Sequence, residues 1–214
     1  MILTRRSVMA SGLAALIAAP ARAAGLASIP VGPAQASAPK AQWVVGQIPD
    51  TPFNIDLINM KLVPQEFHRQ VVPFTGPEPV GTIVVDAGKR HLFFVLMGGK
   101  AVRFGTAVGR AGASWHGTAI VGRKAKWPSW TPTANMRRRN PALPVRQAGG
   151  PKNPLGARAL YLYKDGVDTL YRIHGTNDAS SIGKPASSGC IRMFNEHVFE
   201  LFAEVRVGTV VVVR

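Results

Sequence analysis

From Thr82 to Val213 the chain is a succession of short apolar runs rich in β-branched residues and separated by turn signals. Thr82-Ile83-Val84-Val85 is the first, and His91 to Met97 the second. Gly98-Gly99 then offers a two-residue hairpin turn into a run from Lys100 to Val108. Gly117 to Val121 and Ala159 to Tyr163 continue the pattern. Lys164-Asp165-Gly166 marks a turn into Thr169 to His174, and Thr209 to Val213 is the last strand expected. One helix is expected, with Asn195 as its N-cap and Val198, Phe199, Leu201, Phe202 and Val205 on one face. A second short helix is expected near Ala134 to Arg139. The segment is therefore mainly β with one or two short helices, and residues 80–214 have a common domain size.

The residues before it divide in two. Residues 1–23 read as an export signal: basic Arg5 and Arg6, a short apolar stretch from Leu13 to Ala19, and the small-x-small site Ala21-Arg22-Ala23. The apolar stretch is well below the ~20 residues that span a bilayer. Thr4-Arg5-Arg6-Ser7 resembles the start of a twin-arginine signal, so twin-arginine and general secretory export both stay open. Residues 24–79 are expected to be a Pro/Ala-rich linker and extended N-terminal arm. The tether covers 24–41, and the arm at 42–79 carries Pro49, Pro52, Pro64, Pro73, Pro77 and Pro79. An exported product, in the periplasm or cell envelope, is the expectation.

Lys and Arg total 26 against 11 acids, a net charge of +15. Removing residues 1–23 takes away Arg5, Arg6 and Arg22 and no acid, leaving +12. An exported chain rarely meets nucleic acid, so no nucleic-acid partner is expected. The polyanions of an envelope are phospholipid headgroups, teichoic or lipopolysaccharide groups and the free carboxylates of peptidoglycan stem peptides, and long-range attraction to such a surface follows. A basic surface with no specific partner is the alternative. Five scattered histidines and one cysteine offer no ligand spacing for a metal, and no cofactor is expected.

Cys190 is the only cysteine and cannot form an internal disulfide. It is buried and inert, paired between chains, or reactive. Gly189 before it, with Ser187 and Ser188 before that, favours reactivity. A free thiol with a pKa of ~8.5 needs a base or a nearby positive charge to act as a nucleophile at neutral pH. His174, ending a strand before Gly175-Thr176, is one candidate base. His116 stands in the same triplet, His116-Gly117-Thr118, and spacing does not choose between them. Asn177, Asp178 or a backbone carbonyl can orient the imidazole. The amides of Ser188, Gly189 and Cys190 are the candidate oxyanion donors. Arg192, Ser187 and Trp130 are candidates for contacting substrate.

The run His174-Gly175-Thr176, followed by Ala186-Ser187-Ser188-Gly189-Cys190-Ile191-Arg192-Met193-Phe194-Asn195, resembles the signature of the L,D-transpeptidases of the YkuD (ErfK/YbiS/YcfS/YnhG) family. Three further blocks resemble the family in order: Gly81 to Asp86, Trp127 to Pro132, and Asn153 to Leu162. Many members carry histidine where this chain has Ser188. The resemblance implies a catalytic β-sandwich or barrel over 80–214. It implies Cys190 as nucleophile, His174 rather than His116 as general base and acid, and the Gly175 carbonyl as the orienting group. It also implies an acyl-enzyme formed from a tetrapeptide stem, with release of D-alanine. Transfer to an amine follows, giving a 3→3 cross-link or attachment of an outer-membrane protein. A carboxypeptidase or hydrolase on the same scaffold, and a non-catalytic peptidoglycan-binding module, are the alternatives. Carbapenems acylate the family's cysteine.

Other residues carry weaker signals. Trp127 and Trp130 either line a cleft or pack on the sheet. Arg137-Arg138-Arg139 either meets stem carboxylates or forms a solvated helix face. His68, His91 and His197 show nothing above background.

Overall fold

The computed structural model describes residues 40–109, 115–185 and 189–214. The segment expected to be an export signal, all but the last two residues of the expected tether, and Ser187 and Ser188 lie outside the described residues. Residues 37–214 form one compact unit.

A four-residue helix α1 (Lys40–Trp43) leads into a hairpin of β1 (Val44–Ile48) and β2 (Ile55–Ile58). The main sheet contains β3 (Gln70–Pro73), β4 (Ile83–Asp86), β5 (His91–Leu96), β6 (Lys100–Gly105) and β7 (Ala107–Val108). It continues with β8 (Gly117–Lys126), β9 (Arg158–Lys164), β10 (Val167–His174), β11 (Ile191–Arg192) and β12 (Val210–Val213). The helices α2 (Ala134–Arg139) and α3 (Asn195–Glu204) complete the fold. The strand order is β3-β6-β5-β4-β12-β8-β9-β10-β11-β7. The fold is mainly β, as the alternating apolar runs predict. The sheet begins before residue 80, because β3 from the N-terminal arm pairs with β6.

The order contains its own closure. β6 is second from one end of the sheet and β7 is at the other, yet only Thr106 separates them in the chain. The sheet therefore curls until its ends meet. The single strand expected from Lys100 to Val108 is two strands on opposite edges. The break is built locally. A Cβ on Gly105 would lie 2.5 Å from both Cβ and the carbonyl oxygen of Phe67, so only glycine fits there. Thr106 is fully buried and donates its N–H to the Arg90 carbonyl at 2.8 Å.

Three other expectations shift. The β5–β6 hairpin closes at Leu96 and Lys100, so Met97 joins Gly98 and Gly99 in the loop and is 80% exposed. β8 runs five residues past Val121, through a basic stretch with no apolar alternation. Lys124 holds it there: its Nζ donates to the Phe202 and Val205 carbonyls at the end of α3 and lies over the Phe202 ring. Asn195 is the first helical residue rather than the cap, and Phe194 occupies the cap position with no side-chain bond. The Asp165-Gly166 turn is as expected, with both residues at positive φ between paired Lys164 and Val167.

The main core lies between the inner face of the sheet and α3. Val198, Leu201 and Val205 pack there with Ile83, Val121, Leu160, Leu162, Ile173 and Ile191. Each such side chain contributes roughly 1.5–3 kcal/mol by leaving water. This alternation decides the site: residues flanking the buried ones along β9, β10 and β11 point to the opposite face.

Candidate active site

β10 and β11 run parallel, with Ile173 opposite Ile191 and His174 opposite Arg192. Both isoleucines are in the core. Arg172, His174, Cys190 and Arg192 therefore share the other face, with Cys190 one step before the ladder and beside Arg172. The thiol accepts the backbone N–H of Arg172. The Met193 N–H donates to the His174 carbonyl at 2.8 Å, and the Gly109 N–H to the Cys190 carbonyl at 3.3 Å. Three strands thus converge on Cys190.

His174 is 2% exposed, and its Nδ1 lies 2.6 Å from the Gly175 carbonyl oxygen. A carbonyl only accepts, so Nδ1 carries the proton and Nε2 keeps its lone pair. Neither Asn177 nor Asp178 takes that place. Asn177 donates to the Lys152 carbonyl, and Asp178 accepts the N–H of Ser180. Burial pushes His174 down to about 4, against the pull of the Gly175 hydrogen bond, and the charges of Arg192 and Arg172 push the same way. Cys190 is half-buried, and desolvation of its thiol raises its pKa, opposed by those same two arginines. The resting pair is a neutral imidazole and a thiol.

His116 is elsewhere. It is exposed and precedes Gly117, whereas Ala125 at the far end of β8 pairs with Ala159, which pairs with His174. Nine residues along the chain thus separate His116 from the β8 position that lines up, through Ala159, with His174.

Gly175 is held by a small network. Its N–H donates to the Arg158 carbonyl at 3.0 Å. The Asn195 side chain accepts from Ala157 N and Thr176 N and donates to the Thr176 carbonyl, at 2.8–3.1 Å. One amide thus ties the start of β9 and the loop after His174 to α3. The sequence shows Asn195 only as a helix-start residue, because its partners are 19 and 38 positions away.

Cys190 opens on a cavity of about 380 Å³ whose walls include Arg123, Trp130, Met136, Tyr161, Leu170 and Arg172. Trp130 lies on this wall, while Trp127 is packed with Ile55 and Ala157 and donates to Asp50. Of the basic run on α2, Arg138 bonds Asn135. Arg172 is held by Asp168 through two bonds of 2.8 and 3.0 Å. A second cavity of about 210 Å³, between β1–β2 and the loop at Thr176 to Ser180, does not touch Cys190. Among the described residues, no group of three or more His, Cys, Asp or Glu side chains is arranged to hold a metal, and no helix is long and apolar enough to cross a membrane.

The buried histidines make stability depend on pH. His197 is also pushed down to about 4 by burial. Between the ordinary value near 6.5 and about 4, the unfolded chain binds protons that the folded one refuses. The contribution of both groups is therefore intact above 6.5 and lost as pH falls toward 4. At 1.36 kcal/mol per pH unit this is on the order of 3 kcal/mol for each. Glu196, raised to about 6 by burial, opposes part of the loss, because its own contribution is lost as pH rises through 6. Urea midpoints should fall from pH 6.5 to 4. A flat or rising midpoint would contradict the buried neutral state.

A family model described as the L,D-transpeptidase catalytic domain (YkuD) matches residues 81–213. The "Probable L,D-transpeptidase ErfK/SrfK" of Escherichia coli is 39% identical over 136 residues, covering 59% of this chain and 42% of that protein. The "Probable L,D-transpeptidase YbiS" of Escherichia coli is 38% identical with the same coverage. The chain thus spans less than half the length of these curated relatives. A crystal structure from Brucella melitensis, described as a probable carnitine operon oxidoreductase, is 44% identical. It covers 71% of this chain and 96% of that one, with a TM-score of 0.49. The matched region contains β4 to β12, and with them the strands that set Cys190 and His174 on one face of the sheet; the chain belongs to the YkuD family of L,D-transpeptidase catalytic domains.

Proposed function

We propose that the chain is an exported peptidoglycan L,D-transpeptidase working through a Cys190 acyl-enzyme. Cys190 Sγ attacks the carbonyl joining an L-centre to D-alanine in a tetrapeptide stem. His174 Nε2 takes the thiol proton as the S–C bond forms. The amides of Gly189 and Cys190, with that of Ser188, hold the oxyanion. Collapse breaks the C–N bond, and His174 returns the proton to the departing D-alanine amine. An acceptor amine then attacks the thioester and gives a proton to His174. The thiolate leaves and recovers that proton. The product is a 3→3 cross-link, or a protein joined to the stem if the amine is a lysine of an outer-membrane protein.

The observation that carries this reading is the 2.6 Å contact between His174 Nδ1 and the Gly175 carbonyl, which leaves Nε2 as the base on the face that bears Cys190. The net charge of +15 supports an anionic wall as the working surface. Residues 1–23, by their composition, support export to the periplasm.

The test is to incubate protein with sacculi rich in tetrapeptide stems and analyse the muropeptides. New 3→3 dimers and free D-alanine are expected. Tripeptide monomers alone would replace transpeptidation by carboxypeptidase activity. Unchanged muropeptides, with no carbapenem adduct on Cys190, would remove the enzymatic reading.

A further inference from the structure

The floor of the Cys190 cavity contains a row of side chains crossing four strands. Arg123 on β8 and Arg172 on β10 both pair with Tyr161 on β9, which lies between them. Cys190 follows beside Arg172. The Arg123 guanidinium carbon lies 3.4 Å from the Tyr161 ring centroid, and that of Arg172 lies 4.5 Å from the same ring.

Each arginine follows a β-bulge. The β8–β9 register shifts between Val121 and Arg123, and the β10–β9 register between Asp168 and Arg172. The first shift has a large consequence. Val121 faces the core, and simple alternation would send Arg123 to the core with it. The extra residue, Gly122, reverses the parity and turns Arg123 onto the Cys190 face. A Cβ at position 122 would lie 2.3 Å from the Tyr163 ring, so the bulge depends on glycine.

The two guanidiniums differ in charge balance. Arg172 is neutralised by the bidentate Asp168 contact. Arg123 is exposed, rests on Tyr161, and makes no carboxylate contact among the described residues. A guanidinium stacked on a ring keeps its planar fork open toward solvent, a geometry suited to a carboxylate. Strands are ~4.8 Å apart, so Tyr161 and the guanidinium above it are about 10 Å from Cys190.

We infer that Arg123, held on Tyr161, is a carboxylate-binding residue of the cavity, selecting peptide acyl donors with a free carboxylate about 10 Å from the carbonyl that Cys190 attacks. The assignment rests on Cys190 being the acylated residue. It adds what the donor must carry, and it gives the bulge at Gly122 a purpose.

A haloacetyl reagent tests recognition without requiring transpeptidation. N-iodoacetyl-6-aminohexanoate spans on the order of 10 Å from its reactive carbon to its carboxylate. Its carboxamide is the neutral control. Alkylation of Cys190 at alkaline pH is followed by mass spectrometry for both reagents. The wild-type protein should prefer the carboxylate, and Arg123→Gln should lower that rate ratio about tenfold, the worth of one charge-assisted bond. Arg123→Lys should retain part of the preference, and Arg138→Gln all of it. With tetrapeptide donors, kcat/KM should fall in Arg123→Gln for the free carboxylate form only. An unchanged ratio in Arg123→Gln, or an equal fall in Arg138→Gln, would overturn the assignment. A preference that persists in protein inactive on sacculi would leave the carboxylate site standing and remove only the transferase reading.

Discussion

Replacing Cys190 by Ala should abolish acyl transfer, with a loss of at least about 10⁴-fold in kcat/KM. No other thiol exists in the chain to substitute for it. His174→Gln should cost roughly 10²–10⁴-fold, because the thiol then ionises without a positioned base. The double variant should be no slower than Cys190→Ala, since the two act as a unit. The pH profile is the sharper measurement. His174 is pushed down to about 4, and burial raises the Cys190 thiol. The acylation rate should therefore be level from about pH 5 to neutrality and fall only as His174 protonates near 4. A thiolate–imidazolium pair would behave differently: Cys190 would react rapidly with iodoacetamide at neutral pH. Rapid alkylation there, or an acid limb near 6.5, would contradict the neutral resting pair.

Asp50→Ala should destabilise the protein by about 3–5 kcal/mol, the usual result of stranding one partner of a buried ion pair. Arg158 is 1% exposed, and its Nη1 lies 2.8 Å from Asp50 Oδ2. The same oxygen accepts the Trp127 indole N–H at 2.9 Å. The hydrogen bond from Arg158 holds the Asp50 carboxyl below its ordinary range, although burial works against it. Without the carboxylate, Arg158 would keep a bond to the Ala157 carbonyl and the faces of Phe199 and Phe202, which do not balance a full charge. Asp50→Asn should cost less, because it retains the shape and one acceptor. Chemical denaturation of the three proteins gives the comparison. A loss below about 1 kcal/mol in Asp50→Ala would mean that water reaches Arg158 once the side chain is gone. Activity should fall too, since the Arg158 carbonyl accepts the Gly175 N–H beside His174.

The sequence reports local periodicity well and chain parity poorly. The strands at Ile83–Asp86 and His91–Leu96, the Asp165-Gly166 turn and α3 are legible because each rests on near neighbours. β8 is half legible: its apolar alternation ends at Val121, and Lys124 continues the strand by reaching carbonyls at 202 and 205. Arg123 and Arg172 gave no signal at all. Arg123 owes its direction to the one-residue bulge at Gly122, and a bulge depends on the partner strand; Arg172 keeps its parity through a two-residue irregularity and owes its place to the pairing of β10 with β9 and β11. Asn195 shows the same limit. Its residue type suits a helix cap, but its amide was recruited by Ala157 and Thr176.

Composition, turn signals and the residues flanking Cys190 determined that the segment is mainly β, that one thiol is available, and which histidine stands near it by family resemblance. Each of these depends on residue type and short spacing, which a linear chain displays. The tertiary structure alone decided that β6 and β7 close the sheet from opposite edges, and that His174 lies on the strand beside Cys190, two residues along it, while His116 lies at the far end of β8. It also decided that Asp50 neutralises Arg158 across 108 residues. These are contacts between segments distant in sequence. Their pairing is chosen by shared burial of the whole sheet, a free energy that no short window of residues contains.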